Sequence, residues 1–157
     1  QIRHGRLALG DEMGCICGDM TVVIRKDGKE FYCLYWEGRG MADYDFSKGF
    51  CVKGEDSAVF LEAVLPQMGL TPREANEFII YWLPRLEQNS YNVISFQQEA
   101  YTVTAPLEVS PTPDSMLRVF MAFYGSDSYV EMAPQEFEAF QRVGFTVVEW
   151  GGAEVLR

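Results

Sequence analysis

The chain has 157 residues, 48% of them hydrophobic and 14% aromatic, which is enough to bury a core as one domain without disulfides or metals. It carries 23 acidic and 13 basic residues, giving a net charge of −10 at pH 7. This charge argues against nucleic acid and anionic membrane surfaces as partners, because both are polyanions. No stretch approaches the roughly 18 consecutive apolar residues of a membrane helix, so membrane insertion is not expected.

The histidine and cysteine content limits which catalytic mechanisms, zinc sites and disulfides the chain can have. His4 is the only histidine and lies in the opening segment, so Ser-His or Cys-His catalysis and a histidine-rich zinc site are excluded. Cys15, Cys17, Cys33 and Cys51 show one CxC spacing and no pair of CxxC knuckles, which is a weak zinc signal. Their even number permits two disulfides in three pairings. A domain of this size favours reduced thiols, with Cys33 a small buried side chain, and we expect no metal and no cofactor.

The N-terminal part predicts a β-hairpin. Residues 1–19 are rich in glycine and lack periodicity, which indicates an irregular lead-in. The chain starts with Gln1 rather than methionine, as expected of a processed or shortened chain. Two β-rich runs follow, and the Asp-Gly pair at 27–28 favours a type I′ turn, because both of its central positions need positive φ. Strands are therefore expected at about 20–26 and 30–36.

A helical hairpin is predicted next. The first helix is expected at about 56–68, where apolar residues recur at helical spacing. Pro66 can stop it a turn early, near Leu65, because a proline disfavours helical backbone at the preceding residue. Gly69 fits the residue that follows a helix ending at Met68.

The second helix has a clear start. Thr71 is the expected N-cap, Pro72 occupies the first helical position and Glu74 completes a capping box. Pro84 falls inside the helical pattern and removes one backbone hydrogen bond, so we expect a kink or an end near Leu83.

The remainder of the chain is enriched in β-branched and aromatic residues. Strands are expected at 91–97, 101–111, 116–124 and 145–150. Residues 132–142 form either one short helical turn or an extended linker, and 153–157 form a tail. This order of elements favours an α+β fold: an N-terminal hairpin, a helical hairpin and then an antiparallel β region, in a single domain at 20–152.

Four stretches, at 43–62, 73–97, 113–124 and 144–152, resemble a family of uncharacterised bacterial proteins. The resemblance covers roughly residues 30–152. The relatives are Gram-positive gut bacterial proteins that are envelope-associated or secreted. The resemblance implies an extracellular or envelope location, with the cytoplasm as the alternative, and it brings no established activity or catalytic residue.

Carboxylates beside aromatic residues form the first candidate site. Its binding residues are expected to be Trp36, Glu37, Asp43, Tyr44 and Asp45. Clefts that bind carbohydrates use aromatic rings next to acids, and glycosidases use paired carboxylates. The ordinary alternative is a strand end followed by a solvated loop. The alternate spacing of Asp43 and Asp45 also occurs in calcium loops, but the glycine and glutamate of an EF-hand are missing.

Arg118 is the sixth candidate. It is expected on a strand face with Phe120, opposite the face shared by Leu117, Val119 and Met121. A structural ion pair with Glu149 across the sheet is the favoured role. A site for the carboxylate of a ligand is the alternative.

These patterns favour a non-enzymatic binding or interaction module, with a protein or a glycan as ligand. The alternatives are a hydrolase acting on a glycan with Glu37, Asp43 and Asp45 as its acids, or a purely structural domain of a longer chain.

Overall fold

A computed structural model describes residues 12–18, 33–38 and 43–155. The fold is α+β, and in these residues six strands form one sheet with helices packed on both of its faces. The strands are β1 (Glu12–Gly18), β2 (Cys33–Gly38), β3 (Phe50–Lys53), β4 (Tyr91–Phe96), β5 (Ser115–Ser126) and β6 (Thr146–Glu154). The helices are α1 (Ser57–Val64), α2 (Pro72–Leu86) and α3 (Gln98–Thr104), with short 3-10 turns at Gly54–Asp56 and Leu65–Met68.

The strand order is β2-β1-β6-β5-β4-β3. Neighbouring strands are antiparallel except β5 and β6, which run parallel, so the expectation of a wholly antiparallel region was wrong for this pair. A parallel pair needs a connection that returns to the starting end of the sheet. Residues 127–145 make that return without forming a helix.

Gln135 and Arg142 are among the residues that fix the return segment to the rest of the fold. The Gln135 side chain accepts from the backbone N–H of Phe96 at 2.8 Å and donates to its carbonyl at 3.0 Å, as a neighbouring strand would. Arg142 binds the carboxylate of Glu74 and the carbonyl of Gly69 near the start of α2. Residues 132–142 are therefore an extended linker, the second of the two expected conformations.

The main core lies between the sheet and the pair α1–α2. Phe78 and Trp82 of α2 are almost fully buried and stack edgewise on Trp150 and Phe123 of the sheet. Leu117, Val119 and Met121 point to this side, which confirms the predicted face. The opposite face, which we call the α3 face, carries a smaller cluster in which Tyr101 of α3 packs on Phe120.

Two of the helix boundaries that the sequence marked are confirmed. α1 stops at Val64, ahead of Pro66, and Gly69 takes the left-handed conformation with φ 101°. Thr71 caps α2 through a capping box, since its hydroxyl accepts from the Glu74 N–H and the Glu74 carboxylate accepts from the Thr71 N–H. These signals are local, so they need no knowledge of the tertiary fold.

The N-terminal and C-terminal boundaries need correction. Residues 12–18 were expected to be irregular, but they form β1, which pairs with both β2 and β6. Strand β6 extends through Ala153 to Glu154, inside the expected tail, because it has partners on both sides. The expected strand at 20–26 and its turn lie outside the described residues.

Two local expectations also need correction: the strand at 101–111 and, of the kink or end expected near Leu83, the end. The strand predicted at 101–111 is replaced by α3 and an irregular segment, because the helix places Tyr101 on Phe120 and beside Glu149. Pro84 does not end α2, which continues to Leu86. The hydrogen bond that Pro84 removes would join it to Ile80, and both residues are exposed, so water can bind the released carbonyl.

In the described ranges no helix is long and apolar enough to cross a membrane. Cys33 is half-buried rather than buried and packs against the main core. Cys51 lies on β3, and its sulfur accepts from the backbone N–H of Val130 at 3.2 Å.

Replacement of Thr71 by Ala should lower the free energy of unfolding by about 1 kcal/mol, because the Glu74 N–H loses its acceptor. Urea denaturation measures this change. Thr112→Ala, at an exposed loop position, is the matched control and should leave the midpoint unchanged. Equal midpoints for the two variants would contradict the capping role.

Candidate functional site

An exposed loop at residues 43–47, which we call the 43–47 loop, is held on the α3 face by buried polar side chains. The Asp45 carbonyl accepts from the Ser95 hydroxyl at 2.9 Å and from the Gln97 amide at 2.7 Å. The Asp45 N–H donates to the Gln97 side-chain oxygen at 3.1 Å. Ser95 and Gln97 are almost fully buried and also bond each other. Both backbone groups of Asp45 are thus fixed by side chains that would be costly to bury without partners.

The carboxylate of Asp45 points to solvent and bonds within the loop. It accepts from the N–H of Ser47 at 2.8 Å and from the Ser47 hydroxyl at 3.0 Å. These bonds, the backbone one first, hold the pKa of the Asp45 carboxyl below its ordinary value. Asp45 is therefore an ionised acceptor at neutral pH and a poor proton donor.

Two aromatic rings of the same loop pack on β5. Tyr44 stacks on Phe120 with ring centroids 5.8 Å apart, and Phe46 meets Tyr124 edgewise at 5.0 Å. Tyr44 and Phe46 are half-buried, while Asp43, Asp45 and Ser47 are exposed. The loop thus presents carboxylates beside partly exposed rings.

Beneath this surface lies a buried polar network. Arg118 and Glu149, at paired positions of β5 and β6, form a salt bridge, and both side chains are more than nine-tenths buried. The Tyr101 hydroxyl donates to the other Glu149 oxygen at 2.9 Å. The Arg118 guanidinium lies over the Tyr101 ring, 4.4 Å from its centroid. The ion pair predicted from sequence is confirmed.

The charges of Arg118 and Glu149 are compensated within this network. Burial first, and then the negative charge of Glu149, raise the pKa of Tyr101 above its ordinary value, so the hydroxyl stays protonated as the donor to Glu149. Arg118 faces Glu149 and Tyr101 on the α3 face and is buried there. This arrangement favours the structural role of Arg118 over the ligand-binding role.

The six candidate residues separate into two groups. Tyr44 stacks on Phe120, two residues along β5 from Arg118, and Asp43 and Asp45 are exposed on either side of Tyr44 in the loop. Trp36 and Glu37 belong to β2, opposite Gly14 and Met13 of β1. In the sheet order β2 is four strands from β4, to which Asp45 is anchored. With strands about 4.8 Å apart, some 19 Å of sheet separates these two backbones.

Sequence reasoning does not find three residues that build this surface: Ser95, Gln97 and Tyr101. Ser95 and Gln97 follow the alternation of a half-buried strand, and nothing in their spacing tells that they bind the loop 50 residues earlier. The run Tyr-Thr-Val-Thr has high β propensity and predicts a strand at Tyr101, where the structure has the helix α3. A signal was present, since a buried Arg-Glu pair usually needs further hydrogen bonds.

Within the described segments, no group of three or more His, Cys, Asp or Glu side chains could hold a metal ion. Comparisons of the chain with protein-family models, curated proteins and solved structures found no match.

Replacement of Tyr101 by Phe should reduce stability by about 2 kcal/mol at neutral pH, because Glu149 loses a hydrogen bond while buried. The folded-state pKa of Tyr101 lies above the unfolded value of about 10, so its contribution is full below that pH and is lost as pH rises above it. Urea denaturation from pH 7 to 11 should show the wild type and Tyr101→Phe converging at high pH.

Tyr129→Phe, at an exposed tyrosine, is the control and should match the wild type at neutral pH. A constant difference between Tyr101→Phe and the wild type up to pH 11 would contradict the assigned hydrogen bond.

Proposed function

We propose that the chain is a non-enzymatic binding module that takes a glycan on the surface formed by the 43–47 loop. The observation that carries this proposal is the anchoring of Asp45, whose backbone N–H and carbonyl are both held by the buried side chains of Ser95 and Gln97. A surface loop held in one conformation loses little entropy when a ligand binds, and this raises affinity.

The chemistry of the loop supports a sugar ligand. Half-buried Tyr44 and Phe46 offer ring surface for the apolar face of a sugar. Exposed carboxylates at Asp43 and Asp45 accept hydrogen bonds from hydroxyl groups. The acidic chain, with its net charge of −10, favours neutral or cationic glycans over anionic ones.

The hydrolase alternative is less well supported. Glycoside hydrolysis needs one carboxyl with a raised pKa as the acid, and a second within roughly 5–10 Å. The pKa of Asp45 is lowered, which suits an acceptor rather than an acid. Glu37 belongs to β2, at the other side of the sheet from the strand that anchors Asp45.

An envelope-associated or secreted location is part of the proposal. It rests on the resemblance of residues 43–62, 73–97, 113–124 and 144–152 to proteins of Gram-positive gut bacteria. Glycans of a cell wall or of the gut would be available to such a protein.

The test is an NMR titration of the ¹⁵N-labelled chain with soluble neutral oligosaccharides and with peptidoglycan fragments. Saturable shifts confined to amides of the 43–47 loop and its neighbours on β4 and β5 are expected for at least one glycan. Asp43→Asn with Asp45→Asn should weaken binding about tenfold or more, since two charged acceptors are lost. Asp127→Asn, at another exposed acid, is the control and should bind normally.

Two outcomes would contradict the proposal. The absence of any saturable shift at millimolar glycan would remove glycan binding. Release of reducing sugar from the same oligosaccharides, abolished in Asp43→Asn with Asp45→Asn, would favour the hydrolase.

A further inference from the structure

The strand order limits how the four cysteines can pair. Cys51 lies on β3 at one end of the sheet, while Cys15, Cys17 and Cys33 lie on β1 and β2 at the other end. At about 4.8 Å per strand, β3 is some 19 Å from β1 and some 24 Å from β2. The Cα atoms of a disulfide lie about 4.4–6.8 Å apart. Cys51 therefore has no possible partner within the chain, and two intramolecular disulfides are excluded.

Among the other three cysteines, one pairing fits. Cys17 and Cys33 are directly opposite each other in the antiparallel β1–β2 pair. Opposite residues have Cα atoms about 4.5 or 5.5 Å apart, and both values fall in the range for a disulfide. Cys15 is opposite Tyr35, so it is diagonal to Cys33, at about 7–8 Å. Cys15 and Cys17 lie two residues apart on the extended strand β1, about 6.6 Å along its axis, and are not opposite each other.

We propose that Cys17 and Cys33 are a redox modification site, and that they form a cross-strand disulfide under oxidising conditions. Cys33 is half-buried on the end strand of the sheet, so a small oxidant can reach it. This inference does not depend on the glycan-binding proposal, because β2 is separate from the 43–47 loop in the sheet order.

The oxidant is a small-molecule disulfide such as oxidised glutathione. One cysteine thiolate attacks it, forming a mixed disulfide and releasing one reduced glutathione. The second cysteine thiolate then attacks the sulfur of the first cysteine and releases the second reduced glutathione. Two thiols thus lose two electrons and two protons to one glutathione disulfide.

The disulfide would link the edge strand β2 to β1 and close a loop between Cys17 and Cys33. Closing a loop of 15 residues restricts the unfolded chain, which stabilises the folded state. Oxidation should therefore raise the melting temperature by roughly 5–10 °C.

The test is peptide mapping of the full 157-residue chain after incubation with oxidised glutathione, with alkylation and without reduction. Trypsin should give peptide 7–25 covalently joined to peptide 30–39. The mass should be lower by two hydrogens than the sum of the two peptides, plus one alkyl label on the remaining cysteine of peptide 7–25. Peptide 49–53, which holds Cys51, should carry the alkylating label or glutathione. Reduction should separate the joined peptides and reverse the rise in melting temperature.

Two variants identify the cysteine of peptide 7–25 that is used. Cys15→Ser should keep the crosslink and the rise in melting temperature, whereas Cys17→Ser should lose both. The wild-type map alone decides whether a link forms, so an unfolded variant leaves the test intact. The proposal is overturned if no link forms, if Cys15→Ser removes it, or if the link joins two chains.

Discussion

The buried ion pair between Arg118 and Glu149 is the interaction on which the organisation of the α3 face depends. The two residues are paired across the parallel strands β5 and β6, near the middle of the sheet. Buried charges must be compensated, and removal of one partner typically costs about 3–5 kcal/mol. Tyr101 supplies the compensation through its hydroxyl bond to Glu149 and its ring beneath the guanidinium. The ion pair therefore requires α3 at this position, because α3 carries Tyr101.

The same pair organises the proposed binding surface through Phe120. Tyr101 stacks on the Phe120 ring with centroids 4.3 Å apart, and Tyr44 of the 43–47 loop stacks on the same ring with centroids 5.8 Å apart. Ser95 and Gln97 then fix the loop backbone from β4. The sheet thus has two different faces: α1 and α2 cover an apolar core on one side, while the other side holds a polar network and an exposed loop.

Local signals in the sequence predicted local structure well. The capping box at Thr71, the left-handed Gly69 and the stop before Pro66 each depend on a few adjacent residues. Alternation along β5 also predicted that Arg118 would leave the core side and meet Glu149. Three features depended on distant contacts: the parallel direction of β6, the helix at Tyr101 and the side-chain anchors of Asp45. Propensity favoured a strand at Tyr101, and tertiary contacts with Phe120 and Glu149 determined a helix.

The most direct test of this account is amide hydrogen exchange in Arg118→Met, compared with the wild type. The variant leaves Glu149 buried without its counter-charge, so α3 and the loop should lose their support. The account predicts faster exchange at the amides of Tyr101, Ala105 and Asp45, which bond Gln97 or Tyr101, while amides inside α2 keep their relative protection. Unchanged protection of those three amides, or an equal loss throughout α2, would contradict the claim that the ion pair organises the α3 face.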